Sequence, residues 1–215
     1  MRWGMVIDLT KCMRCYACVV ACRMEHFLPP DMFWNRLGVQ EMGKYPAVTE
    51  VVYPMRCMHC QDAPCVKVCP SGASQQREDG IVWVDQDKCV GCRYCIIACP
   101  YQNRTYLPKI KEFFPGYGFT EYEKIGQRLY PHQAGTTEKC NFCIERIDAG
   151  LAKGLKPGVD REATPACVNV CPAKALYFGD LDDPFSEVST MIRKKRGAQL
   201  HPEFDTNPSV YYITG

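Results

Sequence analysis

Cys89-Val-Gly-Cys92-Arg-Tyr-Cys95-Ile-Ile-Ala-Cys99-Pro100 is the stretch around which the rest of the chain is read. Its spacing, C-x2-C-x2-C-x3-C-P, is that of bacterial iron–sulfur ligation. Three thiolates on a tight turn can wrap one face of a cubane. The fourth is expected at the start of a short helix, pointing away, where it serves a second cluster. Pro100 fixes φ and keeps the backbone off that sulfur. Such a run implies a partner run elsewhere.

The chain supplies three more. Toward the N-terminus lies Cys12-Met-Arg-Cys15-Tyr-Ala-Cys18-Val-Val-Ala-Cys22, the same spacing with Arg23 in place of Pro. Next comes Cys57-Met-His-Cys60-Gln-Asp-Ala-Pro-Cys65-Val-Lys-Val-Cys69-Pro70, whose middle gap is four residues. Beyond the central stretch the fourth run is split, with Cys140-Asn-Phe-Cys143 followed much later by Cys167-Val-Asn-Val-Cys171-Pro172. Its closing piece repeats Cys65-Val-Lys-Val-Cys69-Pro70. Asp8 and Lys11 precede Cys12 much as Asp85, Asp87 and Lys88 precede Cys89, an internal repeat of strand, polar turn and cysteine run.

Sixteen cysteines in 215 residues can be disulfides, zinc ligands or cluster ligands. Four cysteines within eleven residues cannot all pair comfortably, and no secretion signal accompanies them. Zinc knuckles use C-x2-C pairs, and Cys140, Cys143, Cys167 and Cys171 alone could pass for one. A structural zinc site does not need the third cysteine and the x3-C-P that follow. Sixteen ligands divide into four [4Fe–4S] clusters with no thiol left over, so no catalytic cysteine is expected. The runs can combine first with second and third with fourth, or in a nested order, and spacing leaves both open.

The formal charge of +2 gives no reason to expect nucleic acid as a partner. Four oxidised cubanes of roughly −2 each would bring the holo chain to about −6. No apolar run of about 18 residues exists, so no direct membrane span is expected. The start reaches Asp8 before any apolar run develops, so no signal peptide is expected. That points to the cytoplasm, although export with a partner that carries the signal would look the same.

Residues 3–9 read as a strand, and Val48–Tyr53 as another that pairs with it. Ile81–Val84 reads as a strand returning toward the third run. Residues 101–139 form an insertion rich in Tyr and Phe, either packing over its own module or meeting another subunit. The region from 144 begins as a helix, Glu187–Lys195 is a helical candidate, and Ser209–Ile213 an edge strand. Arg14, Arg93 and His59 lie inside ligand loops, where a cation would raise a cluster's potential. The plainer expectation is an exposed side chain for each arginine and a packed loop histidine. His26, His132 and His201 are read as structural. Met13, Met55, Met58, Val19, Val20, Val66, Val68, Ile96 and Ile97 are expected to shield clusters from water. Arg193-Lys194-Lys195-Arg196 is a solvated helix end or a patch for an acidic surface.

The order and spacing of the four runs resemble the four-cluster ferredoxin-like electron-transfer (beta) subunit of dimethyl sulfoxide reductase family molybdopterin oxidoreductases. The likeness runs from Met5 to about Pro184. It is carried by residues 89–101, Lys139–Cys143 and Phe178–Pro184, and is closest to the polysulfide, thiosulfate, arsenate and dimethyl sulfoxide reductase branch. It implies an α+β fold of two ferredoxin-like modules related by pseudo-twofold symmetry, with long loop insertions. Residues 1–215 would form a single four-cluster domain. One module comprises 1–50 plus 137–180 and the other 51–110, with the insertion at 101–139 and a tail at 179–215.

The resemblance further implies nested ligation. Cys12, Cys15, Cys18 and Cys171 would hold a first cluster, and Cys22, Cys140, Cys143 and Cys167 a second. Cys57, Cys60, Cys65 and Cys99 would hold a third, and Cys69, Cys89, Cys92 and Cys95 a fourth. The first lies nearest the catalytic subunit in relatives. The implied function is a relay of single electrons, with no catalysis by this chain. It would run between a large molybdopterin catalytic subunit, carrying a molybdenum or tungsten bis-pterin, and an integral membrane quinone-interacting subunit. A membrane-associated complex follows. The alternatives are a free-standing soluble multi-cluster carrier and a subunit of a hydrogenase or formate-type complex.

Overall fold

In the computed structural model, which describes residues 1–214, regular structure is short and the loops between it are long. In chain order the elements are β1 (Trp3–Asp8), α1 (Ala17–Glu25), β2 (Asn35–Lys44), β3 (Ala47–Arg56), α2 (Pro64–Lys67), β4 (Ser74–Gln76), β5 (Val82–Val84), α3 (Tyr94–Ile97), β6 (Thr105–Leu107), α4 (Glu121–Leu129), β7 (Thr136–Glu138), α5 (Ile144–Ala152), α6 (Ala166–Asn169), β8 (Leu176–Asp180), α7 (Glu187–Lys195), β9 (Ala198–Gln199) and β10 (Val210–Ile213). The fold is mixed α and β in small sheets.

The largest sheet has the order β8-β1-β10-β9, with β1 antiparallel to β8 and parallel to β10. All six residues of β1 are buried. A strand covered on both faces needs no polar side, so Trp3, Met5 and Ile7 enter the main core while Val6 packs with Val188 of α7 and Ile213 of β10. Two sequence expectations fail here. The strand over 48–53 does not pair with β1. It belongs to β3, which forms a hairpin with β2 from Asn35↔Arg56 to Lys44↔Ala47. The two-residue Tyr45-Pro46 connection makes that pairing local, and both edges of β1 are taken by β8 and β10. Nor is the C-terminal strand an edge: β10 lies between β1 and β9.

Proline decides where the ligand-bearing helices stop. α2, α3 and α6 are four residues each, and the last cysteine of each run follows just beyond, ahead of Pro70, Pro100 and Pro172. Cys99 therefore sits past a helix end rather than at a helix start. The first run has Arg23 instead, and α1 continues through Cys22 to Glu25. The 101–139 insertion is structured: β6 pairs with β7, and α4 between them opens on a capping box of Thr120 and Glu123. It packs over the segment that follows α1, with Phe27 against Tyr122 and Gly126.

Candidate metal centres

Each ligand loop is bent by a residue with positive φ between its first two cysteines: Arg14, His59, Gly91 and Phe142. Turns of this kind gather backbone N–H groups into concavities that favour an anion. The first and third runs repeat the bend before the third cysteine, at Tyr16 and Arg93. At Gly91 the φ of 67° disfavours a side chain, and the carbonyl of Gly135 against it excludes one.

The loops bring the sixteen thiols into four groups, and all are free. Cys12, Cys15, Cys18 and Cys171 line one cavity. Cys22, Cys140, Cys143 and Cys167 line a second with His26, Asn35 and Arg56. Cys69, Cys89, Cys92 and Cys95 line another with Ser71, Ser74 and Arg93. Cys57, Cys65 and Cys99 surround Cys60 closely enough for their charges to bear on it. Among the described residues, no three or more His, Cys, Asp or Glu groups are placed to hold a single metal ion. The thiols stand around spaces instead of meeting at a point.

The groups form a row. Arg56 lies between the first two: its Nη1 is 3.1 Å from Cys167 Sγ, and its charge also bears on Cys18 and Cys140. Cys140 in turn feels Cys57 of the third group. Arg104 acts on Cys65 and Cys57 of the third group and on Cys95 of the fourth. Burial grades along the row. Cys15 and Cys92, in the end groups, are exposed, whereas all four thiols of the second group and three of the third are buried.

Charge balance inside the row fits anionic clusters. Arg56, Arg104 and Lys139 are 1%, 7% and 3% exposed, and no carboxylate pairs with any of them among the described residues. Arg104 donates to Ser74 Oγ at 2.8 Å, and Lys139 Nζ donates to the carbonyls of Val82 and Cys140. The Nε and Nη2 groups of both arginines have no protein acceptor. Buried, unpaired guanidinium N–H groups are costly unless an anion meets them, and a thiolate-ligated cubane is such an anion. Desolvation drives the buried thiols the other way. Burial pushes Cys60 and Cys140 up to about 12, and Cys22 and Cys143 well above the ordinary thiol value. Ligation must therefore expel protons that the metal-free pocket retains. Burial also opposes ionisation of Cys69, but the Ser74 N–H at 3.3 Å and the Ser71 hydroxyl pull it down.

The cations foreseen inside the loops line the two end cavities, and each is engaged by a partner away from the thiols. Arg14 pairs with Glu50, and Arg93 lies 3.8 Å over the Tyr106 ring. His59 is a packed loop residue, stacked 3.6 Å from Phe142 and accepting from the Val82 N–H at 3.0 Å. His26, read as merely structural, has Nε2 3.3 Å from Cys143 Sγ, because α1 runs on past Cys22 and carries it there. Burial, then His132 and Arg146, lowers its pKa to about 3. His132 holds the His26 carbonyl at 2.8 Å and Glu138 at 2.8 Å. His201 is exposed beside Glu203. Of the apolar shield, Val19 and Met58 are buried, but Met13, Val20 and Ile97 are exposed at the ends of the row. Arg56 and Lys139 had one signal, which Arg104 lacked: a basic residue precedes the first cysteine of every run, at Lys11, Arg56, Lys88 and Lys139.

Comparison with known proteins agrees with this chemistry. Models of the 4Fe-4S dicluster domain match residues 11–73 and 48–113. The B subunit of the selenate reductase of Mesobacillus selenatarsenatis is 39% identical over 99% of this chain and 72% of its own length. The iron–sulfur subunit of the arsenate respiratory reductase of a Shewanella species is 38% identical over 99% and 96%. The B subunit of the sulfite dehydrogenase of Allochromatium vinosum is 38% identical over 98% and 82%.

Proposed function

Because the chain belongs to the family of iron–sulfur B subunits with 4Fe-4S dicluster domains, we propose that it carries single electrons end to end through a redox complex. When bound, four [4Fe–4S] clusters supply one-electron chemistry at potentials set by charge, hydrogen bonding and burial. The chain's part is to hold them in line. The observation that carries this reading is the row of four thiol groups, exposed at both ends and buried in the middle.

In this reading the nested sets are the ligand sets: Cys12, Cys15, Cys18 and Cys171; Cys22, Cys140, Cys143 and Cys167; Cys57, Cys60, Cys65 and Cys99; Cys69, Cys89, Cys92 and Cys95. A shared cavity supports three of the sets, and the charges of Cys57, Cys65 and Cys99 bearing on Cys60 support the other. The matching bends of the first and third loops support two modules related by a pseudo-twofold. One module is built from 1–50 and 137–180, the other from 51–110.

The relatives' names supply the setting. Selenate, arsenate and sulfite are oxyanions, and the complexes named for them each include an iron–sulfur or B subunit. The partner at one end is a large molybdenum or tungsten pterin subunit, near Cys12 and Cys15. At the other end, near Cys89 and Cys92, is a quinone-linked membrane subunit. Exposed Met13, Tyr16 and Val20 at the first end, and Val90, Tyr94 and Ile97 at the second, are apolar groups that partners would cover. No described helix is long and apolar enough to cross a membrane, so membrane association would come through a partner.

Anaerobic purification with metal counting tests the proposal. The expected result is about sixteen irons per copy of this chain, plus molybdenum or tungsten in a co-purifying larger chain. Sixteen irons with no partner and no pterin metal would instead make it a free carrier.

A further inference from the structure

Arg56 differs from the other two buried cations in what it touches. Lys139 is held by two carbonyls, and Arg104 by Ser74 with the Cys65 thiol beside it. The Arg56 guanidinium has only sulfur partners, Cys167 Sγ and Met5 Sδ, each at 3.1 Å. It is 1% exposed, and its Nε and Nη2 point at no protein acceptor. Its backbone is fixed by the last hairpin pair, Asn35↔Arg56, and by Asn103, whose amide donates to the Arg56 carbonyl. The charge therefore cannot swing out to solvent. Cys167 belongs to the second thiol group and Cys18, which the same charge reaches, to the first.

We infer that Arg56 is a shared positioning charge that sets the reduction potentials of the first and second clusters together. The inference rests on the four-cluster reading above. Each one-electron reduction adds one negative charge to a cavity, and Arg56 lines the second cavity while its charge reaches Cys18 of the first. A cation fixed there favours reduction on both sides, and it eases the repulsion when neighbouring sites are both reduced. Across the third and fourth groups the corresponding charge is Arg104, so the effect of Arg56 falls mainly on the first two groups.

The test is an EPR-monitored redox titration of the intact iron–sulfur complex, wild type against Arg56→Met. The variant keeps a long side chain and removes the charge. The expected result is a fall of tenfold or more in the reduction constants of the first and second clusters, 59 mV for each one-electron couple. The third and fourth should stay in place. Arg56→Lys keeps a charge but cannot reproduce the planar fork, and it should shift the same two couples in the same direction by less. Arg56→Gln, also uncharged, carries the test if Arg56→Met fails to assemble. Four unshifted potentials in the uncharged variant overturn the inference, as does an equal shift of all four, which would signal general loosening. Fewer than four clusters in the wild type would overturn the underlying reading as well.

Discussion

Lys88 and Lys139 each stand immediately before the first cysteine of a run, yet one is exposed and the other is 3% exposed. The same contrast separates Lys11, exposed at the first end of the row, from Arg56, buried between its first two groups. Nothing in the local sequence distinguishes them. Position in the row does: the runs of Lys11 and Lys88 build the two end groups, and those of Arg56 and Lys139 build the two inner ones. At the ends water can offset a cluster's charge. In the middle a protein cation must do it, and the chain places one there. The inner and outer groups thus use one local design under two electrostatic regimes.

The sharpest way to break that comparison is to remove one ligand from each regime. Cys167→Ser lies among four buried thiols and beside Arg56. We expect it to cost its own cluster and to leave a buried cation underpaired, so that iron falls to about eight per chain and the first cluster is lost too. Cys15→Ser, at an exposed end, should leave about twelve. Equal iron contents in the two variants would show that burial does not separate the groups.

Carboxylates offer a second contrast. Glu138 and His132 have side chains 3% and 5% exposed, and they brace the second group through His26. Glu138→Ala should destabilise the holo protein by about 3–5 kcal/mol in denaturant unfolding. Glu50→Ala, which breaks the exposed pair with Arg14 beside the first group, should cost no more than about 1 kcal/mol. The cations themselves come third. Lys139→Met strips the Val82 and Cys140 carbonyls of their donor and should cost about 1–3 kcal/mol. Lys88→Met at the exposed end should stay within about 0.5 kcal/mol.

The smallest effect is in pH. Burial lowers the His132 pKa, but the hydrogen bond and charge of Glu138 outweigh it, and the folded value lies above the ordinary one. A raised folded pKa means the protonated form is the stabilised one. Its contribution is complete below the ordinary histidine value, about 6.5, and is lost as pH rises through the folded value. Stability measured from pH 6 upward should decline accordingly, and Glu138→Gln should flatten that decline. A wild-type profile that rises over this window would contradict the sign.

The sixteen cysteines and the divisions between runs were legible because metal ligation depends on spacing along the chain. β1, β5, α5 and α7 were legible for the ordinary reasons of pattern and punctuation. Partner choice among strands was not. β10 has the composition of an edge strand, and only its pairing with β1 on one side and β9 on the other puts it inside a sheet. The hairpin of β2 and β3 was hidden because β2, reading Asn-Arg-Leu-Gly-Val-Gln-Glu-Met-Gly-Lys, carries few β-branched residues and is mostly exposed. At the site the miss was a matter of context. A lone basic residue beside a cysteine has no sequence mark of burial, and His26 reaches Cys143 only because no proline ends α1 at Cys22.

The position of β10 also bears on how the protein is made. β1 leaves the ribosome long before its parallel neighbour β10, and Cys171 follows Cys18 by about 150 residues. At roughly 5–20 residues per second, synthesis from Cys18 to Cys171 takes on the order of ten to thirty seconds. The two thiol groups contained within residues 57–99 can close during that interval. The first group cannot, and its three early thiols wait on the nascent chain. With the proposed ligand sets, insertion at the first group would therefore wait for Cys171, and a chain truncated before it would carry the groups of residues 57–99 built and the first group incomplete.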